Sequence, residues 1–153
     1  MSHDMQAATV EQGSRPVWQA PDVIPSMRYR DALAAIDWLE RAFGFERQAV
    51  YSEGDHVSHA QLRFGSGMIM LGSARDGDDR WPVKTPRDVG GATTGGIYVI
   101  VEDTDAHYDR AKAAGAEILR EPCDQEYGSR DYSARDPEGH VWSFGTYRPS
   151  AED

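Results

Sequence analysis

The sequence predicts an α+β chain made of two copies of one strand–helix–three-strand unit. Three observations point to it. A weak internal repeat pairs DVIPSMRYRDALAAIDWLERAFGFERQAVY with GGIYVIVEDTDAHYDRAKAAGAEILREP. In both copies an aspartate precedes a helical stretch and a glycine closes it: Asp31 and Gly44 stand thirteen positions apart, Asp103 and Gly115 twelve. After each helix, short β-prone runs alternate with turn residues.

Residues 1–21 contain no apolar run and read as a flexible N-terminal arm, not a secretion signal. The first module, residues 22–74, opens with an extended segment at 23–29. Asp31 is suited to cap a helix carrying Leu33, Ile36, Leu39, Ala42 and Phe43 at helical spacing. Gly44 ends it. Strands are expected at 46–53, 56–64 and 68–73, separated by SEGDH and GSG. Residues 75–94 are rich in Gly, Asp and Pro and read as a linker holding Trp81. The second module, residues 95–147, starts with a strand at 97–101. Asp103 or Asp105 caps a helix with Ala106, Tyr108, Ala111 and Ala114 on one side and His107 toward solvent. Strands follow at 117–120, 130–135 and 140–147, the last after the turn DPEG. Trp142 and Phe144 are expected in the core, and His140 on the surface. A unit of about 50 residues buries little apolar area alone, so the two should share one core.

The chain has 26 acidic and 16 basic residues, a net charge of -10. That argues against nucleic acid or an anionic membrane surface as a partner and is compatible with a cationic ligand. No stretch approaches the roughly 20 apolar residues of a membrane span. Cys123 is the single cysteine, which rules out an intrachain disulfide and suits a reducing cytoplasm. Its acidic neighbours disfavour a reactive thiolate. GGATTGG lacks the spacing and Lys-Ser/Thr end of a phosphate loop, and no nucleophile motif is present.

Four segments, in order, resemble the glyoxalase/bleomycin-resistance/extradiol-dioxygenase superfamily, also called vicinal oxygen chelate proteins: YRDALAAIDWLERAFGF, HAQLRFGSGMIML, VEDTDAHYDRAKAAGAEI and YGSRDYSARDPEGHVWSF. The resemblance covers residues 22–147. It implies two βαβββ modules whose mixed sheets curve around a cavity, commonly in a homodimer. It also implies a test for a metal. Enzymes of the family hold a divalent ion with His, Glu or Gln on the first and last strand of each module. Aligned on Asp31 and the turn aspartate Asp136, those positions fall on Ile24, Met70, Ile97 (Gly96 if the register slips by one) and Ser143. These side chains are poor donors for such an ion, so no metal and no cofactor are expected. The chain is closest in this respect to the metal-free bleomycin-resistance-like members, which bind a bulky cationic drug.

Strand alternation places His59, Gln61 and Arg63 on the face opposite Leu62 and Phe64, the cavity side in the family. His59 and Gln61 are therefore candidate ligand contacts, with an ordinary cross-strand hydrogen bond as the alternative for His59. Met68 and Met70 suit irregular apolar ligands. Arg28 suits an anionic group. Tyr127, Arg130, Tyr132 and Trp81 are candidates for stacking and polar contact, and Ser143 faces the cavity. Three functions remain open. One is a metal-free protein that binds a small organic molecule, such as a cationic antibiotic. The second is a lyase or isomerase working through an acid–base group such as His59. The third is a metal enzyme with displaced ligands such as His59 and Gln61.

Overall fold

The computed structural model describes residues 18–78 and 80–153. Most of the expected N-terminal arm, residues 1–17, lies outside the described residues. The elements are β1 (Ser26–Tyr29), α1 (Ala32–Trp38) running into a π-helical turn (Leu39–Phe43), β2 (Glu46–Glu53), β3 (His56–Phe64) and β4 (Gly67–Ser73). A short 3-10 turn (Pro86–Val89) interrupts the linker. Then come β5 (Gly96–Ile100), α2 (Thr104–Ala113), β6 (Glu117–Asp124), β7 (Arg130–Arg135) and β8 (Val141–Gly145).

Local chemistry sets most boundaries. Asp31 Oδ1 accepts from the Ala34 amide at 3.1 Å, and Asp103 Oδ1 from the Ala106 amide at 3.0 Å. These are N-caps, and Asp103 takes the role instead of Asp105. Gly44, at φ 87°, ends the first helical segment in a conformation that favours glycine. β1 begins at Ser26 and not at residue 23, because Pro25 has no amide to give a ladder. Its carbonyl still accepts from the Met70 amide at 2.9 Å. β6 runs to Asp124, four residues past the expected end, with irregular pairing around Pro122.

The two sheets have matching orders, β1-β4-β3-β2 and β5-β8-β7-β6. In each, the first strand runs parallel to the fourth and the other pairs are antiparallel. The sequence repeat is thus a repeat of topology.

One apolar cluster serves both modules, as expected. Phe43 meets Phe144 and Trp142 at ring-centroid distances of 4.6 and 5.3 Å, and Phe45 meets Trp142 at 5.6 Å. The helices cap each other. Trp38 Nε1 donates to the Ala114 carbonyl at the end of α2 (2.7 Å). In return, Arg110 of α2 donates to the Arg41 and Glu40 carbonyls at 2.9 and 3.0 Å. The Ala114 and Arg41 carbonyls at the helix ends thereby find partners, and the Glu40 carbonyl gains one beside the Gly44 amide.

The DPEG turn is a second joint. Buried Asp136 accepts from Tyr29 Oη at 2.7 Å and Trp142 Nε1 at 3.1 Å. It also accepts from the Glu138 and His140 amides, at 3.0 and 3.1 Å. Glu138 accepts from the Arg30 and Asp31 amides just before α1.

Two expectations are corrected here. His107 does not face solvent. It bridges the modules between Tyr132 Oη (2.6 Å) and the Phe43 carbonyl (2.8 Å), and its ring lies 4.3 Å from that of Phe144. Burial holds its imidazole below the ordinary pKa, the Phe43 hydrogen bond opposes that, and the nearby Arg110 charge adds to it. His140 is half-buried. It hydrogen-bonds the Arg28 carbonyl at 2.9 Å and packs on Tyr29.

Candidate functional site

The face of the first sheet opposite the core carries a cavity lined by three of the candidate residues, Gln61, Met68 and Met70. Register explains which side chains reach it. Ser26 pairs with Met70, Met70 with Gln61, and Met68 with Arg63. In parallel and antiparallel pairs alike, paired residues share a face, and so do residues two apart. Ile24, Met68, Met70 and Gln61 therefore converge, joined by Tyr51 and Gln48 from β2 and by Trp18 from the N-terminal segment. They enclose a cavity of about 500 Å³. Its floor is apolar: two methionines and an isoleucine.

The polar groups on this floor are satisfied among themselves. His59 hydrogen-bonds Gln61 Oε1 at 2.8 Å and stacks on Tyr51 at 6.0 Å. Gln61 Nε2 donates to Gln48 Oε1 at 2.8 Å. A His–Gln–Gln chain has a single titratable member, so it lacks the second group that acid–base chemistry on one substrate atom needs.

The two ends of the floor differ. At one end Arg63 stands in register with Met68, and its guanidinium lies 4.1 Å from the ring centroid of Trp18. At the other end Arg28 pairs with Gly72. A Cβ at Gly72 would stand 2.5 Å from Arg28 Nη1, so the glycine makes room for the guanidinium. Arg28 is 8% exposed and donates to the Ser73 carbonyl at 3.3 Å. The ring centroid of Trp81, from the linker, lies 5.8 Å from the Arg28 guanidinium and 5.3 Å from that of Arg75. Burial, and then repulsion from Arg75, hold the Arg28 pKa below its ordinary value.

Of the predicted site residues, Gln61, Met68 and Met70 line the cavity, His59 and Arg28 share its sheet face by alternation and register, and Trp81 stands beside Arg28. Tyr127, Arg130 and Ser143 lie in the second module. Arg130 is held by Asp105 (3.0 Å) and Asp124 (3.1 Å), a doubly paired cation with little left to offer a ligand. Tyr127 is exposed and donates to Asp131 at 3.1 Å. Tyr132, also a candidate for cavity contact, is instead fully buried in the core against Phe144. Ser143 shares a hydrogen bond with Ser133 at 2.8 Å and faces away from the core, as its neighbours Trp142 and Phe144 face in.

The residues at the family's metal positions do not fit a metal. Ile24 and Met70 are among the residues lining the cavity. Ile97 is corrected: it pairs with Trp142 and packs on the core, whereas Gly96 and Tyr98 share the face of Ser143. Exchanging isoleucine for glycine or tyrosine brings no ordinary first-row ligand. No group of three or more His, Cys, Asp or Glu side chains suited to a metal occurs among the described residues.

Sequence reasoning missed Trp18, which follows no periodic pattern, and buried Asp131. That carboxylate accepts from Arg120 and Gln125, both at 2.9 Å, and from Tyr127. Arg63 was legible, since it alternates with Gln61.

Comparison with known proteins agrees with this architecture. Residues 24–144 match the model of the Glyoxalase/Bleomycin resistance protein/Dioxygenase superfamily. An uncharacterized Mycobacterium bovis protein, Mb0911c, is 34% identical over 126 residues, 82% of each chain. The crystal structure of TioX from Micromonospora sp. ML1 shares 33% identity, with a TM-score of 0.65 over 85% of this chain and 98% of that one. The fosfomycin resistance protein FosX from Listeria monocytogenes, crystallised with Mn(II) and a dihydroxypropylphosphonic acid, shares the fold alone. It is 14% identical, with a TM-score of 0.60 over 85% of this chain and 92% of its own. The chain belongs to the Glyoxalase/Bleomycin resistance protein/Dioxygenase superfamily.

Proposed function

We propose that this protein binds a small, flat organic molecule on the cavity face of its first module, without a metal and without turnover. The observation that supports it best is the floor of Ile24, Met68 and Met70 beneath a cavity of about 500 Å³. That volume falls in the range of ligand pockets, and methionines adapt to irregular apolar shapes. The ligand reading is favoured over acid–base catalysis because His59 is engaged with Gln61 and has no titratable companion. It is favoured over a metal enzyme because the donor set is wrong at each family position. An antibiotic of flat shape is one molecule of the right kind. A cationic one is disfavoured, since no carboxylate lines this cavity among the described residues.

A homodimer belongs to the same reading: a second copy would cover the open face and complete the enclosure. Light scattering on the purified protein tests that part separately, and a monomer across the micromolar range would remove it.

The binding reading is tested by thermal shift with a panel of flat aromatic compounds, before and after treatment with chelator. Stabilisation is expected in both conditions, and it is expected to disappear in Met70→Trp, which fills the floor. Equal stabilisation of Met70→Trp would place binding elsewhere. Stabilisation abolished by chelator would overturn the metal-free part.

A further inference from the structure

We propose that the ligand of this face is a planar organic acid, with an apolar body on Ile24, Met68 and Met70 and a carboxylate at each end against Arg63 and Arg28. This deepens the binding reading above and rests on it.

Among the described residues, three buried side-chain nitrogens have no hydrogen-bond partner: Trp18 Nε1, Arg28 Nε and Arg63 Nε. Trp18 lines the cavity, Arg63 stands in register with the lining Met68, and Arg28 stands in register with Gly72, two residues past the lining Met70. Buried polar groups in folded proteins are nearly always paired, so orphans at both ends of one sheet face call for an explanation. Indole and guanidinium groups donate and do not accept. Whatever completes them must bring acceptors. A cationic ligand would bring more donors and more positive charge.

Charge leads to the same class. The protein carries a net charge of -10, yet the ends of this floor are cationic. Among the described residues neither Arg28 nor Arg63 forms an ion pair, whereas Arg30, Arg47, Arg120, Arg130 and Arg135 all do. Glu46 is the register partner of Arg63 and does not pair with it. Arg28 is buried beside Trp81 with Arg75 near the same ring, and repulsion from Arg75 adds to the cost of burying its charge. An oxyanion beside Arg28 relieves both the burial of its charge and that repulsion. Guanidinium suits a carboxylate in particular, because its donors form a planar fork.

Spacing sets the length. Arg63 stands beside Met68 and Arg28 beside Gly72, four residues along β4. At about 3.3 Å per residue the two backbone positions are about 13 Å apart, a span that two linked aromatic rings bearing an acid at each end match once the arginine side chains reach toward them. Between the ends the floor asks for nothing polar, since His59, Gln61 and Gln48 are already paired.

Isothermal titration of the full chain with a biphenyl dicarboxylate, its dimethyl ester and the matching bis-amidine tests the inference. The three share a body and differ in charge. The diacid is expected to bind about tenfold or more tighter than the ester, as charge-assisted hydrogen bonds are the strong ones, and the bis-amidine not at all. Arg28→Met and Arg63→Met are each expected to weaken the diacid by about tenfold and leave the ester unchanged. Circular dichroism confirms the fold of each variant, and if Arg28→Met does not fold, the half-buried Arg63→Met decides. Bis-amidine binding as tight as the diacid, or ester equal to diacid, overturns the acid inference and leaves the binding reading standing. No binding by any of the three overturns both.

Discussion

At the scale of the residue, position in the register decides what a side chain can do. Ser143 occupies a place where metal enzymes of the superfamily carry a ligand, and it spends its hydroxyl on Ser133. Ser143→Glu alone is expected not to create a zinc site, because Tyr98, Ile24 and Met70 remain around the family positions. Competition with a chromophoric chelator measures this, and tight zinc binding would show the assignment of the other positions to be wrong. Asp136 makes the opposite case. It looks like a turn residue in DPEG, and it accepts four hydrogen bonds, one of them from Tyr29 in the other module. Asp136→Asn keeps the shape but not the charge, and is expected to cost about 1–3 kcal/mol in denaturant unfolding. The sequence showed the turn plainly. It did not show Tyr29 reaching Asp136 across 107 positions, because nothing local encodes such a contact.

At the scale of the element, punctuation was legible and partnership was not. β2, β3 and β7 run between the residues expected from alternation and turns; Gly54 and Gly65 mark the reversals around β3, and Gly128 the turn before β7. β6 was read short because REPCD shows no apolar alternation. The π-helical turn at Leu39–Phe43 carries no sequence signal, yet it sets the Phe43 carbonyl against His107. α2 was read with His107 outward because its own apolar stripe is weak. Its real partners, Phe43, Phe144 and Tyr132, come from three other elements. This joint predicts a pH response. The unfolded chain binds a proton at His107 near pH 6.5, whereas the folded chain takes it only at lower pH. The contribution is therefore intact above about pH 6.5 and is lost as pH falls below it. Melting temperature measured from pH 8 to 5 should decline more steeply in the native protein than in His107→Gln.

At the scale of the whole molecule, two modules share one apolar core and are expected to fold together. Phe43 and Phe45 of the first pack on Trp142 and Phe144 of the second, and each helix caps the other. Residues 22–74 expressed alone are expected to show no cooperative unfolding transition. Phe43→Ala in the full chain should cost about 3–5 kcal/mol. A cooperative melt of the isolated module would contradict the shared core. The repeat made the two-module plan readable, because both copies keep the same order of elements. The cavity was readable only in part: alternation pointed to Gln61, Met68 and Met70, but not to Trp18 or to the lone charges at either end.

The distribution of the four tryptophans gives the protein two optical channels. Trp38 and Trp142 are buried in the joint and the core, and their emission follows unfolding. Trp18 and Trp81 lie against guanidiniums beside the cavity face, and their emission is expected to respond to the ligand proposed for it. Replacing the second pair with phenylalanine should silence the ligand signal while leaving the unfolding signal intact. A single cuvette can then report occupancy and stability as separate quantities, with no label attached.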